Sequence, residues 1–528
     1  MNKKASIAAE WAARFSSLLG EEAPKIAVSG SAAAVELLTP EEMGEADRRT
    51  IAAGTPGIKL MERAGQAVAE AVVRRVTPGA RVAILAGPGN NGGDGFVAAT
   101  ALTEAGYSVA LGLLGDRSKL TGDAAVAAKD WSGPVDDLTP AILDGADIVV
   151  DALFGAGLDR PIEGIAATII AAVNETGLPV VAVDLPSGID GRDGSILGVA
   201  IRAEETVTFF RRKPGHLLLP GRMLAGRITV ADIGIGATAL EAIRPKAFHN
   251  VPVLWRARYP RPLIDGHKYS RGHTIVVSGP MTRTGAARLA ARAALRIGSG
   301  LVTVAALREA LPVHAAHLTA IMLLQMDSAL DLAEILEDER RNAVVMGPAV
   351  GIGERTKELA EVALERAPAV VLDADAITSF ADAPEALFEL TRQRSAPTVL
   401  TPHAGEFARL FPDFTVIASK LDRARAAADR AAAIVVLKGS DTVVAAPDGF
   451  AAIADNAPPD LATAGSGDVL AGMIGGLLAQ GMPDLDAAAA AVWMHGAAAR
   501  IAGQGLIAED LPEAVPEVLA QMARPEHG

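Results

Sequence analysis

The 528-residue chain has no cysteine. That excludes disulfides, iron–sulfur clusters, thiolate zinc sites and a cysteine nucleophile. Aromatic residues make up only 4 %, and the nine histidines are scattered without HExxH-type spacing, so a histidine-based metal site is not expected. There is no cationic surplus: the formal charge is −14, which argues against general binding to nucleic acid or anionic membranes. Long apolar runs are also missing. The alanine-rich stretch Ala487 to Ala502 is interrupted by His495 and Arg500 and reads as a buried helix rather than a membrane span. Residues 1–35 carry no clear core pattern and no convincing targeting segment, so they read as an N-terminal extension of a cytoplasmic protein.

What is present is Ala, Val, Leu and 53 glycines, the composition of an α/β enzyme, in a chain long enough for two to four domains. Thr39 followed by Pro40 and two acids marks a helix start, and a second helix places Leu60, Met61, Ala64, Val68 and Val72 on one face. Strands are predicted at Val82–Leu85, Val109–Leu114, Asp147–Leu153 and Val180–Leu185, with helices between them, including Phe96–Ala105 after a Gly/Asn loop. The pattern lapses between Phe248 and Tyr269. A second series then begins, with strands at His273–Ser278, Leu301–Ala306, Ala343–Gly347, Ala369–Asp373, Thr398–Thr401 and Ile434–Lys438 and a hairpin around Pro447-Asp448-Gly449. The expected architecture is two tandem three-layer αβα domains, 36–248 and 249–528.

Chemistry gathers at strand ends. Gly87-Pro-Gly-Asn-Asn-Gly-Gly-Asp-Gly95 follows one strand, Asp151-Ala-Leu-Phe-Gly-Ala-Gly-Leu158 another and Asp184-Leu-Pro-Ser-Gly188 a third. Ligands bind at the carboxyl ends of strands in open α/β sheets. The first loop is neither GxGxxG nor a P-loop; its glycines allow close backbone approach, and Asn90 and Asn91 supply amides and carbonyl oxygens. Asn, Asp and Ser oxygens converging there are hard ligands for an alkali or alkaline-earth cation, and Asp184 stands where a general acid/base would. In the second half, Ala462-Thr-Ala-Gly-Ser-Gly-Asp-Val-Leu-Ala-Gly472 is a small-residue turn feeding an apolar helix from Val469. Such a start exposes N–H groups to a phosphate, and Asp468 beside it could take a proton from whatever attacks the phosphorus; a plain capped helix start is the alternative. Asp373 and Asp375 could bind Mg²⁺ through water or simply end a strand in solvent. Thr401-Pro-His403-Ala-Gly-Glu406 suggests a polar pocket, and Lys438, Gly439 and Thr442 offer a cation, N–H groups and a hydroxyl to phosphate or ribose.

The strings GPGNNGGDGF, DALFGAGL, DLPSGID and TVTFFRRKPGHLLLPG resemble the epimerase domain of the NAD(P)H-hydrate repair enzymes. DADAI, TPHAGEFARL, VVLKGSDTVV, ATAGSGDVLAG and HGAAAR resemble the ribokinase-like dehydratase domain of the same family. Those enzymes interconvert the R and S forms of 6-hydroxy-tetrahydro-NAD(P), the hydrated cofactor, and dehydrate the S form. The resemblance implies a Rossmann-like first domain with K⁺ held by Asn91, Asp151 and Ser187. It implies Asp184 as acid/base, and substrate contacts at Asn90, Asn91, Gly92, Gly93, Asp94, Gly155, Ala156, Gly157, Leu158, Asp159, Arg160 and Pro161. For the second domain it implies contacts from the hydrate to Ala286, Gly351, His403 and Asp468, with Asp468 as the base that activates its hydroxyl. Nucleotide contacts fall on Lys438, Gly439, Ser440, Asp441, Thr442 and Gly467, with Mg²⁺ present and ADP as co-substrate yielding AMP and phosphate. The expected partners are hydrated NADH or NADPH and ADP, with no nucleic acid or membrane, in a homo-oligomer.

Departures from the family pattern are local. A glycine-rich GGS turn becomes SGPMTR, with Met281 and Arg283 intruding; TGNPGMATGGTGD becomes NAPPDLATAGSGD, so the loop ahead of the turn loses glycines while a hydroxyl and the acid remain. A kinase of a vitamin-precursor alcohol shares the Gly-x-Gly-Asp device, and a non-catalytic nucleotide sensor is the third reading; the epimerase-like half and the two intact aspartates favour repair.

Overall fold

The computed structural model describes residues 35–523, so all but the last residue of the expected N-terminal extension lies outside the described residues. The chain divides into two compact α/β units: residues 35–254 with 377–455, and residues 255–376 with 456–523.

The first unit contains a seven-stranded parallel sheet in the order Asp136–Asp137, Ser108–Leu113, Arg81–Ala86, Ile148–Ala152, Val180–Val183, Glu205–Phe209, Arg227–Ala231. Apolar runs such as Val180–Val183 are buried along their whole length, as strands covered on both faces require. Leu60, Val68 and Val72 of helix Gly57–Val73 join Phe96 and Leu102 over one face, and Ile169, Ile170 and Val173 of helix Gly164–Thr176 cover the other, giving three layers. From Arg81–Ala86 the chain winds outward in one direction and from Ile148–Ala152 in the other. The loops leaving these two neighbouring strands therefore flank the switch point, where a crevice opens outside the strand ends.

The same unit holds six further strands in the order Glu36–Leu37, Ala247–His249, Ala451–Ile453, Val443–Ala445, Ile434–Leu437, Thr398–Leu400. Val443–Ala445 and Ala451–Ile453 form the expected antiparallel hairpin, and Ala451–Ile453 pairs in parallel with Ala247–His249.

In the second unit the parallel order is Val370–Leu372, Ala343–Met346, His273–Val277, Leu301–Ala306, Met322–Gln325. Helix Ser466–Ala479 packs on helix Thr284–Arg296 with almost no separation: a Cβ on Gly472 would lie 2.1 Å from the Ala290 carbonyl oxygen, and one on Gly476 2.7 Å from that of Ala294. Helix Asp484–Ala502 is buried over most of its length, and no helix among the described residues is long and apolar enough to cross a membrane.

Two local expectations are corrected. The Gly/Asn segment is not a loop ending at Phe96; the helix begins at Asn90 and runs to Glu104. Its glycines serve close packing: a Cβ on Gly92 would stand 1.9 Å from the Gly87 carbonyl oxygen, one on Gly93 2.6 Å from Met61 Sδ, and one on Gly95 2.8 Å from Ala152 Cβ. Likewise the helix expected from Val469 starts at Ser466, because Gly465 turns the chain at φ 90°. Asp468 thus lies inside the first helical turn.

Candidate active site

Asp184 ends strand Val180–Val183 with φ 65°, a left-handed conformation that costs a non-glycine residue free energy and that the surrounding bonds must enforce. Its N–H donates to Val207 O at 2.7 Å, and its carbonyl accepts from His216 Nε2 at 2.8 Å. The carboxylate accepts from Thr208 Oγ1 at 3.0 Å, from Ala156 N–H at 3.0 Å and from Lys213 Nζ. Lys213 is itself buried and also donates to Thr208 Oγ1 at 2.9 Å. Burial pushes the Asp184 carboxyl up, but the Lys213 ammonium, through its charge and its hydrogen bond, and the Ala156 N–H outweigh it and hold the group below its ordinary range. His216 Nδ1 accepts the Lys213 N–H at 2.9 Å; burial, with help from Lys213, pushes the imidazole down to about 4, so it is neutral at pH 7. The result is a persistently ionised carboxylate, as a general base requires.

Asp184 lines a pocket of about 520 Å³ together with Asn90, Asn91, Asp94, Gly155, Ala156, Gly157, Leu158, Asp159 and Arg160. The structure therefore brings together most of the residues singled out in the first half. Gly155 is where they touch: a Cβ there would sit 2.7 Å from Asn91 Oδ1 and 3.2 Å from Asp184 Oδ2. The helix starting at Asn90 and the turn Leu153–Leu158 are the loops of the switch point, so topology accounts for the convergence. Four residues that motif reading passed over belong to the same constellation: Thr208, Lys213 and His216 around Asp184, and Asp47 on helix Pro40–Ala52 in the pocket wall. Thr208, Lys213 and His216 stood inside a quoted string, but their inward orientation is fixed by tertiary packing alone.

Beside the pocket, the fully buried Asp151 carboxylate accepts from Ser187 N–H at 2.7 Å, Ser187 Oγ at 2.6 Å and Leu153 N–H at 3.3 Å. Burial lifts this carboxyl to about 6 despite those bonds. Its hydrogen-bond partners are all neutral, and the buried Nδ2 of Asn91 has no partner. Oxygen donors around an uncompensated buried carboxylate fit a hard alkali or alkaline-earth cation.

The remaining candidates fall in both units. In the first, His403 caps helix Ala404–Leu410: its Nδ1 accepts from Gly405 N–H at 2.9 Å, and Glu406 returns a carboxylate to the His403 N–H at 2.8 Å. Lys438 lies 3.9 Å from Glu406. The turn after it is closed on itself, with Gly439 N–H donating to Thr442 Oγ1 at 3.1 Å and that hydroxyl donating to Gly439 O at 2.7 Å. Asp441 pairs with Lys420 Nζ at 2.6 Å and accepts the Leu219 N–H at 3.0 Å, while Arg222 donates to Ser440 O at 2.8 Å. The segment Lys213–Arg222 thus runs from Asp184 to the Ser440–Asp441 turn. In the second unit, Gly467 and Asp468 occupy the first turn of helix Ser466–Ala479, Ala286 lies in the first turn of helix Thr284–Arg296, and Gly351 N–H donates to Asp375 Oδ2 at 2.9 Å.

Comparison with known proteins defines the class. Residues 57–215 match the family described as YjeF-related protein N-terminus, and residues 274–519 match the family described as NAD(P)H-hydrate dehydratase. The bifunctional NAD(P)H-hydrate repair enzyme Nnr of Thermofilum pendens is 36 % identical over 87 % of this chain and 91 % of its own length. That of Moorella thermoacetica is 37 % identical over 92 % and 97 %. An ADP/ATP-dependent NAD(P)H-hydrate dehydratase from Bacillus subtilis, solved with ATP and Mg²⁺, is 27 % identical over 52 % of this chain and 98 % of its own, with a TM-score of 0.46. The chain belongs to the family of bifunctional NAD(P)H-hydrate repair enzymes.

Proposed function

We propose that residues 36–248 form a domain that interconverts the R and S forms of hydrated NAD(P)H, and that residues 249–528 form one that dehydrates the S form at the expense of ADP, giving AMP and phosphate. The observation that carries the first half is the ionised Asp184 in a pocket wide enough for a nicotinamide ring and lined by the Asn90–Asp94 and Gly155–Arg160 segments. The substrate's reactive carbon bears both a hydroxyl and the ring nitrogen, so changing its configuration needs proton transfer at that hydroxyl, which a carboxylate performs. Asn91, Asp151 and Ser187 would hold K⁺, whose charge would offset the buried carboxylate and order the Leu153–Gly155 turn.

In the second activity Asp468 takes the proton from the substrate hydroxyl, which attacks the terminal phosphate of ADP and displaces AMP; the phosphate then leaves the carbon with its electron pair as a proton is lost from the neighbouring ring carbon, which restores the ring double bond. The nucleotide contacts are assigned to Lys438–Thr442 and Gly467 and the hydrate contacts to Ala286, Gly351 and His403; Asp373 or Asp375 would hold Mg²⁺ through water, and the ion would supply charge neutralisation at the phosphates. Support comes from the N-terminal helical turn on which Gly467 and Asp468 lie, where N–H groups favour bound anions.

The test is recovery of reduced-nicotinamide absorbance from a mixture of both hydrate forms, with ADP and ATP compared. The native chain should convert both forms. Asp184→Asn should restrict recovery to the S fraction, and Asp468→Asn should abolish it. No recovery, together with phosphorylation of a thiazole or pyrimidine alcohol, would replace this reading with a kinase.

A further inference from the structure

The pocket around Asp184 carries more acid than one base needs. Asp47, from helix Pro40–Ala52, and Asp94, from helix Asn90–Glu104, line it alongside Asp184 and Lys213. Asp94 is nine-tenths buried and, like Asp47, has no hydrogen-bond or ion-pair partner among the described residues. The charged groups acting on Asp47 are Lys213, Asp184, Asp94 and the outward Arg48; His216 is neutral. Three carboxyls thus act on one another with a single ammonium among their neighbours, and Lys213 is already committed to Asp184. Such a set retains protons. Two of the three carboxyls, Asp47 and Asp184, keep part of their surface open to the pocket, and they reach it from different elements.

We propose that Asp47 is the second acid/base of the epimerase reaction, protonating the hydroxyl that leaves one face of the carbon while Asp184 accepts the proton of the water that adds to the other. The inference rests on the epimerase reading of this pocket. The C–O bond breaks with its electron pair going to oxygen, the Asp47 proton makes the leaving group water, and the ring-nitrogen lone pair forms a C=N⁺ bond. A water then adds to the opposite face, the electron pair returns to nitrogen, and the proton goes to Asp184, which releases it to solvent while Asp47 takes one up, restoring the starting state. The S-to-R direction retraces the same steps from the minor form in which Asp184 carries the proton and Asp47 is ionised. The environments suit this division: burial, reinforced by the Asp184 charge and opposed by Lys213, lifts Asp47 to about 6, whereas Asp184 is held low. Two carboxyls pushed apart in this way mark an acid and a base.

The experiment uses the full-length chain and measures R-to-S conversion by chromatographic separation of the two forms across pH, with ADP-dependent dehydration of the S form as an independent check on the protein. Asp47→Asn should lower kcat for epimerisation about 10²-fold or more with little change in KM, remove the alkaline fall of the pH profile, and leave dehydration intact. Asp47→Ala should regain rate with added acetate, which separates a missing acid from a distorted pocket. In H₂¹⁸O the native enzyme should incorporate label into the epimer it forms. Retained activity or an unchanged alkaline limb in Asp47→Asn, absence of acetate rescue, or unlabelled product would overturn the inference. Asp184→Asn tells its failure apart from that of the underlying reading: loss in Asp184→Asn with retention in Asp47→Asn removes only Asp47, whereas retention in both removes the epimerase assignment of the pocket.

Discussion

Lys213→Met offers the sharpest test of how the Asp184 site is held ready. The substitution keeps roughly the volume of the stem and deletes the one buried ammonium that meets the Asp184 carboxylate. Removing one partner of a buried ion pair costs about 3–5 kcal/mol, because the other charge is left in a medium that solvates it poorly. The site can avoid that cost by protonating Asp184, and at about 1.4 kcal/mol per pH unit the same energy corresponds to raising its pKa by roughly 2–4 units. The sign follows. In the native protein Asp184 is depressed, so its contribution is present above the ordinary carboxylate range and is lost only as pH falls through the lowered value. In the variant the group is raised, so the deficit is largest at neutral and alkaline pH and shrinks as acid supplies the proton. The assay pairs urea-unfolding midpoints with epimerisation rates at pH 7.5 and pH 5.5. The gap in stability between native and variant should narrow at the lower pH, and the variant's rate should rise towards alkaline pH, where its base ionises. An equal stability loss at both pH values would mean that Lys213 contributes packing, not charge, and the account of Asp184 would fail.

His216, buried neutral with a value near 4 against an ordinary 6.5, makes the native protein lose stability as pH falls through that window, by about 1.4 kcal/mol per unit; His216→Gln should flatten that part of the acid-unfolding profile. Gly92→Ala forces a Cβ to within 1.9 Å of a backbone oxygen and Gly472→Ala to within 2.1 Å, so each should lose at least the 1–3 kcal/mol of an overpacked core in thermal unfolding. Gly157→Ala, with nothing within 4 Å, should stay within about 0.5 kcal/mol of native stability. Releasing the Asp441 anchor with Asp441→Asn leaves Lys420 half-paired and the Leu219 N–H with a weaker acceptor, and should cost about 1–3 kcal/mol, measured by the same assay.

The buried parallel strands were legible because their apolar runs are long enough to stand out and are punctuated by turns. The short strands Asp136–Asp137 and Glu36–Leu37 carry no such signal, and Glu205–Phe209 hides its role behind the polar residues Glu205, Thr206 and Thr208, each of which is buried. The helix start at Asn90 was misplaced for a physical reason. Glycine is read locally as a helix breaker, yet here its missing side chain is needed against Gly87, Met61 and Ala152, a tertiary demand that propensity does not register. The site divides along the same line. Asp184, Asp151, Ser187 and Asn91 announce themselves by lying at strand ends in glycine-rich surroundings. Asp47 lies in an ordinary amphipathic helix, among Glu and Arg residues that point to solvent, and only the fold turns it inward.

The segment Lys213–Arg222 shows what such a division means for the site. Its first residue fixes the charge of Asp184, His216 pins the strained backbone of the same residue, and Leu219 and Arg222 then grip the Ser440–Asp441 turn. Residues more than 200 positions apart in sequence are therefore tied through ten residues of chain. Nearby, Arg212 contacts His249 at 3.1 Å, and His249 pairs with Asp455 at 2.9 Å, whose carboxyl is driven down by His249, Arg222 and Arg212 against the effect of burial. Together with the pairing of Ala247–His249 on Ala451–Ile453, these bonds explain why 377–455 belongs to the same compact unit as the seven-stranded sheet. Asp184 and the Ser440–Asp441 turn thus share one supporting segment, Lys213–Arg222.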